Sequence, residues 1–319
     1  MKSRLNFFIT GAAGFIGSHV CESLVELYKD SKFILFDKLT YAANRKYLSK
    51  IIKKKNVIFF KGDLLDFKNL QKKLKNIDIA INIAAESHVV NSFGNSLLFT
   101  KTNTLGTHSF LEACRKKNIQ KIIHVSTDEV YGENLGKPFK EDQNLNPTNP
   151  YSASKAAAEM IVNSYKHAYK MNITLIRANN IYGTRQYPEK LISKSLFCFL
   201  NKKKMTIHGN GNSYRYYLSV HDFCDGLIKI IQKGKRNEIY NIAANKFFKI
   251  TDVIKMISKK LNVDFKKNTI FVKDRPFNDK IYKINCDKLK KLGWKPKRKL
   301  EDDIPNICKW YIKNISLFH

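Results

Sequence analysis

Nowhere in its 319 residues does the chain carry an apolar run near the roughly 20 residues that a membrane-spanning helix requires. No small-residue cleavage site follows a long apolar core at the N-terminus, so the start of the chain reads as a first β-strand and not a signal peptide. No two of the six cysteines (Cys21, Cys114, Cys198, Cys224, Cys286, Cys308) stand at CxxC spacing. That removes the usual zinc and redox motifs and leaves free buried thiols, with no metal expected and a cytoplasmic compartment expected. A Pro/Gly/Ser linker, an internal repeat and a low-complexity tract are all missing, which points to two lobes of one compact body. Acidic residues are scarce, 27 against 58 basic ones, for a net charge of +31. A field of that size attracts anions, nucleic acid included. The lysines, however, recur in short clusters along the whole chain, at residues 53–55, 202–204 and 295–299. They are not gathered in one arm or interleaved with aromatics, so a solvated basic surface is expected and nucleic acid is not expected as a partner.

What is present begins with alternation. Hydrophobic residues make up 43% of the chain, enough for a globular core. Apolar strands are expected at residues 5–10, 33–36, 57–60, 77–83 and 121–126, and again at 173–177 and 238–242. Amphipathic helices are expected between them, at about 15–28, up to about 75, and from about 95 to 117. Strands alternating with helices argue for an α/β fold of Rossmann type, a doubly wound parallel sheet covered on both faces. After about residue 178 the alternation breaks into shorter elements, as a smaller α/β substrate-binding lobe would. The expected division is 1–177 for a dinucleotide-binding domain, with a returning segment at about 217–245, and 178–216 plus 246–319 for the substrate lobe.

Between the first strand and the first helix stands Thr10-Gly11-Ala12-Ala13-Gly14-Phe15-Ile16-Gly17. Glycines at 11, 14 and 17 permit a tight turn, close approach of backbone to a pyrophosphate, and close packing of helix on strand. The helix N-terminus then offers N–H groups to phosphates. Asp37 ends the second strand about 20 residues later, where a carboxylate grips both ribose hydroxyls and selects NAD over NADP. Lys38 points the other way, because a basic residue there can accept a 2′-phosphate. Asp63 ends the third strand, either at the adenine edge or as a helix N-cap.

Tyr151 and Lys155 lie one helical turn apart in Tyr151-Ser152-Ala153-Ser154-Lys155. A phenol is a poor base at neutral pH, but a neighbouring ammonium favours the phenolate, and the pair can then deprotonate a hydroxyl as hydride leaves. Ser126-Thr127-Asp128-Glu129 follows the fifth strand, at the end of the sheet where such folds bind ligands.

TGAAGFIGSH, AAESHV (84–89), HVSTDEVYG (124–132), NPYSASKA (149–156), NNIYGTRQYPEKLI (179–192) and GWKP (293–296) together resemble the dTDP-glucose 4,6-dehydratase family, extended short-chain dehydrogenases that include UDP-sugar variants. The likeness runs in consistent order along nearly the whole chain. It implies that Phe15, Ile16, Leu64, Ala84 and Ala85 join the glycines, Asp37, Asp63, Tyr151 and Lys155 around NAD. Catalysis would fall to Thr127, Asp128, Glu129, Tyr151 and Lys155. Tyr151 would take the 4-hydroxyl proton of a nucleotide hexose while hydride leaves C4, with Thr127 and Lys155 holding the oxygen. Glu129 would then remove the C5 proton and Asp128 protonate the departing 6-hydroxyl, before hydride returns to C6. Ser87, His88, Asn180, Glu189, Lys190 and Leu191 would face the sugar, with Arg215 and Arg275 on the phosphates. A homodimer is implied as well.

Several substrate-side positions depart from the family pattern. Val90-Asn91 replaces Asp-Arg, Arg215-Tyr216-Tyr217 replaces Arg-Asp-Trp, and residues 275–279 read Arg-Pro-Phe-Asn-Asp in place of Arg-Pro-Gly-His-Asp. The substrate therefore stays open between dTDP-glucose, UDP-glucose and UDP-N-acetylglucosamine. Two other readings also stay open at this point: a nucleotide-sugar 4-epimerase, and a non-catalytic NAD- or nucleic-acid-binding protein.

Overall fold

The computed structural model describes residues 4–274 and 281–318. Six strands arise in order along the first part of the chain: β1 (Asn6–Thr10), β2 (Lys32–Asp37), β3 (Val57–Lys61), β4 (Ile79–Asn82), β5 (Lys121–Thr127) and β6 (Ile173–Ala178). Three short ones follow, β7 (Asn180–Tyr182), β8 (Met205–His208) and β9 (Tyr214–Ser219), and then β10 (Ile239–Ile242), β11 (Phe247–Lys249) and β12 (Thr269–Val272). Strand β10 returns to the main sheet, whose order is β10-β6-β5-β4-β1-β2-β3. All six of its pairings are parallel. The order reverses between β1 and β4, and such a switch point opens a crevice at the carboxyl ends of the strands. Register aligns those ends: Thr10 lies opposite Phe36 and Asn82, and Thr127 opposite Ala178.

Strand alternation explains why both faces are apolar. Phe7 and Phe8 are both fully buried, yet they join different clusters on opposite faces of the sheet. Each buried phenylalanine contributes roughly 1.5–3 kcal/mol. On one face lie the helices Phe15–Leu27 and Val220–Lys233, and on the other Gly106–Lys116 and Pro150–Ala168. A third cluster unites Leu191–Leu200, Ile250–Lys260 and Leu300–Asn314 in the second part of the chain. Residues Ile284, Cys286, Leu289 and Trp294 pack instead into the first cluster, against the main sheet. Trp294 Nε1 donates to the Asp222 carbonyl at 3.0 Å, and Asp222 Oδ2 accepts from the Lys297 and Arg298 amides. That part of the GWKP motif is a structural anchor.

The helix expected at 95–117 is not one regular rod. A separate short helix, Val89–Gly94, precedes it, and Asn95 then caps Ser96–Phe99. From Thr100 to Leu105 the helix widens into a π turn before resuming at Gly106. The widening aims Asn103 inward. Its Oδ1 accepts from the Glu86 amide (2.8 Å), and its Nδ2 donates to the Glu86 carbonyl and to Ser154 Oγ, each at 2.9 Å. Hydrophobic periodicity reports a helix but is blind to one inserted residue whose purpose is a tertiary hydrogen bond. No helix among the described residues is long and apolar enough to cross a membrane.

Candidate active site

One cleft of about 660 Å³ runs along the carboxyl ends of the main sheet. All of the site residues expected above line it except Arg275, which lies outside the described residues.

Its first part is a backbone cradle. Gly11 has φ +66°, and a Cβ there would come within 2.7–2.8 Å of the Ala84 backbone. A Cβ on Gly17 would run into the Gly11 carbonyl. Gly14 caps the helix Phe15–Leu27 with no side-chain partner, so the first-turn amides are not claimed by a cap. Side-chain-free backbone, free amides and a positive helix end suit the phosphates of a dinucleotide. Asp37 Oδ2 accepts from the Ala13 amide (2.9 Å) and Oδ1 from the Leu39 amide (2.7 Å). Burial raises its carboxyl and these amides oppose the rise, so it is held at the mouth of the cradle. Lys38 does not reach toward that carboxylate; its Nζ pairs with Asp63 Oδ2 at 2.7 Å. Burial works to raise Asp63, but the Leu65 amide and Lys38 outweigh it and hold the carboxyl low. The cap of the next helix, Phe67–Lys73, falls to Asp66 and not to Asp63.

The second part is a buried set of proton-handling groups. Thr127 ends β5, and its Oγ accepts from the Glu129 amide at 3.3 Å, capping the turn Asp128–Tyr131. The same hydroxyl donates to Asp128 Oδ1 at 3.3 Å and opposes the rise of the Tyr151 phenol. Asp128 is 2% exposed. Burial first, and the Glu129 charge second, push its carboxyl up to about 7, against the opposing pull of Asn179, Thr127 and Arg215. A carboxyl at that value can hold a proton at neutral pH and give it up. Asn149 Nδ2 donates to Glu129 Oε2 at 3.2 Å, which orients the second carboxyl.

Asn149 also caps the helix Pro150–Ala168 and closes a capping box with Ser152, with Pro150 at the first position. Two functional side chains, Tyr151 and Lys155, thus project from one well-fixed helix start. Burial and the Glu129 charge raise the Tyr151 phenol far above its usual range, with the Thr127 hydroxyl opposing. This is the reverse of the phenolate expected from the neighbouring Lys155 ammonium, because burial and the nearby carboxylates outweigh it. Lys155 Nζ donates to the Val125 carbonyl at 2.7 Å. Burial lowers its ammonium to about 8, with Glu159 opposing.

The third part faces the cradle from the second lobe. Lys190 Nζ donates to the Ser87 carbonyl at 2.6 Å and stands 5.9 Å from the centre of the Tyr151 ring. His88 Nδ1 lies 4.0 Å from Glu189 Oε2, which also accepts from the Tyr41 hydroxyl at 2.8 Å. Burial keeps His88 below its usual value, while the Asn91 side chain opposes this. Asn91, one of the departures from the family pattern, thus acts on a sugar-side residue. Arg215 lies 5.3 Å over the Tyr282 ring and donates to the Tyr214 carbonyl at 2.8 Å.

Two site residues were missed in the sequence. Asn179 Nδ2 donates to Asp128 Oδ2 at 2.7 Å, and its Oδ1 accepts from the Ala244 amide. Asn149 stands at the start of the NPYSASKA stretch, but its hold on Glu129 joins residues 20 apart in the chain. For Asn179 the available signal was its place one residue past a buried strand, at the ligand end of the sheet. Among the described residues no cluster of His, Cys, Asp or Glu could hold a metal.

The model of the GDP-mannose 4,6-dehydratase family matches residues 8–307. A protein of Arabidopsis thaliana named as a trifunctional UDP-glucose 4,6-dehydratase, 3,5-epimerase and reductase is 43% identical over 315 residues. That match takes in 97% of this chain but 47% of the Arabidopsis protein, so the chain spans about half the length of such relatives. The dTDP-D-glucose 4,6-dehydratase of Dictyostelium discoideum is 41% identical over 352 residues, covering 96% of this chain and 81% of that one. The crystal structure of dTDP-glucose 4,6-dehydratase from Streptomyces venezuelae with NAD bound matches with TM-score 0.96 and 31% identity over 99% of both chains.

Proposed function

The chain belongs to the GDP-mannose 4,6-dehydratase family, and on that premise we propose that it is an NAD-dependent nucleotide-sugar 4,6-dehydratase. It converts an NDP-hexose to the NDP-4-keto-6-deoxyhexose with loss of water. The observation that carries this reading is the buried turn Thr127-Asp128-Glu129, set beside Tyr151 and Lys155 in the cleft that also contains the glycine cradle.

The dinucleotide, held by the Gly11–Gly17 turn, Asp37 and the Ala84–Ala85 backbone, supplies a hydride acceptor for sugar C4 and a donor for C6. The chain's own residues move the protons. Tyr151 removes the 4-hydroxyl proton, and the Thr127 hydroxyl holds both the phenol and the sugar oxygen. Lys155, fixed by the Val125 carbonyl, places positive charge near the phenol's end of the cleft. A 4-ketone acidifies the C5 hydrogen, which the Glu129 carboxylate takes. Asp128, titrating near neutrality, gives its proton to the leaving 6-hydroxyl. One carboxyl acts as base and its neighbour as acid because their surroundings differ.

The relatives named above act on UDP-glucose and dTDP-glucose, so a glucose nucleotide is proposed as substrate. Residues 1–177 with 217–245, joined by 284–294 through their packing on the main sheet, are proposed to carry the dinucleotide, and 178–216 with the rest of 246–319 the sugar nucleotide. The working unit proposed is a homodimer through the helices Ser96–Lys116 and Pro150–Ala168, which expose Leu97 (80%), Leu105 (52%) and Met160 (52%). Six free, buried thiols suit a reducing cytoplasm.

The test is incubation of the purified protein, without added cofactor, with dTDP-glucose, UDP-glucose and UDP-N-acetylglucosamine in deuterium oxide. Loss of one water with deuterium at C5 is the expected result. Recovery of a sugar of unchanged mass with C4 inverted would instead identify a 4-epimerase.

A further inference from the structure

The loop from Gly183 to Lys190 faces the glycine cradle across the cleft. A Cβ on Gly183 would already meet the Phe15 ring, at 3.1 Å, so the loop begins hard against the first turn of the cradle's own helix. Both of its ends are tied to the dinucleotide side. At the start, the Thr184 carbonyl lies 3.2 Å from His19 Nε2, and Arg185 pairs with Glu22 at 2.7 Å. His19 and Glu22 stand on the first two turns of the helix Phe15–Leu27. Arg185 holds a left-handed φ of +69°, a backbone conformation that a non-glycine residue adopts only when its contacts impose it.

At the other end the ties run to the loop after β2. The Tyr41 hydroxyl donates to Glu189 Oε2 at 2.8 Å, and the Tyr41 ring meets the Tyr187 ring edge-on at 5.1 Å. Lys190 reaches back to the Ser87 carbonyl. The Tyr311 hydroxyl donates to the Gln186 carbonyl from behind, fixing the middle of the loop to the second lobe. Asp37, the cradle, Tyr41, Tyr187 and Glu189 all line one cavity. A dinucleotide running from Asp37 over the cradle to Tyr151 shares that cavity with the Tyr41–Glu189 bridge.

We propose that residues 183–190 form a strap that keeps the dinucleotide in the cleft between the two hydride transfers, with Tyr41 as the positioning residue that latches it. The proposal rests on the dehydratase reading and adds a requirement particular to it. Oxidation at C4 moves a hydride to the dinucleotide and a proton to Tyr151. If the dinucleotide escaped at that stage, the sugar would leave as the 4-ketone with its 6-hydroxyl or enone unreduced. The chain would then lack an oxidant for the next substrate. The same two electrons must return to C6, so a dinucleotide held through the whole cycle conserves the reaction, and exchange with bulk solvent breaks it.

The experiment compares the parent protein with Tyr41→Phe and Glu22→Gln. Tyr41 is 47% exposed, so phenylalanine keeps the ring contact with Tyr187 and removes only the hydroxyl. Dinucleotide is counted per chain after purification and dialysis, its exchange is followed with isotopically labelled NAD, and sugar products are separated without and with added NAD. A hydrogen bond to a charged group is worth enough that its loss should speed exchange on the order of ten- to a hundredfold. Both variants should require added NAD and release some NDP-4-ketoglucose, with melting temperatures close to the parent's. Exchange at the parent's rate in Tyr41→Phe, in a parent protein that does dehydrate its sugar, overturns the strap alone. A parent that retains no dinucleotide and dehydrates none of the three sugars overturns the strap and the dehydratase reading together.

Discussion

Asp128→Asn should cost the protein its dehydration and make it more stable, and both effects follow from one buried carboxyl. Asp128 titrates at about 7 in the folded chain against an ordinary 3.8, with burial the larger cause and the Glu129 charge the next. The folded state therefore holds this proton more tightly than the unfolded chain does. As pH rises from about 4 to 7, the unfolded chain loses its proton first, and stability falls across that window before levelling off above it. The gap of about three pH units, at about 1.36 kcal/mol each, amounts to roughly 4 kcal/mol once the group is fully ionised. Asparagine matches the volume and carries no charge. It gives back about 1 kcal/mol because its amide nitrogen cannot accept from Asn179 or Thr127. The net expectation is a gain of about 3 kcal/mol at pH 8 and little or none at pH 4.5. Without a proton donor for the 6-hydroxyl, turnover should fall by about 10²–10⁴. Denaturant unfolding at the two pH values, beside the product assay, measures both. An equal difference between variant and parent at pH 4.5 and pH 8, or none at pH 8, would refute the assignment of Asp128 as a strained acid.

Glu129→Gln should block C5 proton removal and spare the first oxidation. Substrate should then turn the bound dinucleotide reduced, seen by absorbance, with no water lost; a 4-epimerase would keep turning over. Asn179→Ala removes a donor that favours ionised Asp128, so the alkaline limb of the pH–rate profile should move upward by about one to two pH units. An unmoved limb would exclude that hydrogen bond from tuning the acid. Gly17→Ala forces a methyl into the Gly11 carbonyl; the expected outcome is a loss of at least about 1–3 kcal/mol of stability and no dinucleotide recovered with the protein. Leu97→Glu with Leu105→Glu should leave a folded monomer by light scattering if the two exposed helices form the homodimer, and an unchanged mass would place the interface elsewhere.

Strands and helices of the main sheet were legible because their signals are local. A five-residue apolar strand, a glycine turn and an amphipathic helix follow one another within residues 6–27, and nothing distant is needed to form them. The spacing of Tyr151 and Lys155 is likewise a property of one helical turn. The expected strand at 77–83 is realised only as Ile79–Asn82, and the π turn at Thr100–Leu105 left no trace in periodicity, since its cause is the contact of Asn103 with Glu86 and Ser154.

By itself, then, the sequence determined which groups reach the carboxyl edge of the sheet: the glycine cradle, Asp37, the Thr127-Asp128-Glu129 turn, and the Tyr151–Lys155 pair. Chain-local rules of turn, cap and strand end place them there. Tertiary structure alone decided what each group is chemically. Asp128 becomes an acid near neutrality because it is buried next to Glu129, and the bond from Asn179, 51 residues away, limits how far its carboxyl rises. Lys38 is occupied by Asp63, and Lys155 by the Val125 carbonyl. Tyr41 meets Glu189 across 148 residues of chain. Burial and partnership depend on which segments the fold brings together and on how much water it excludes, and neither quantity can be read from residues that are neighbours only in sequence.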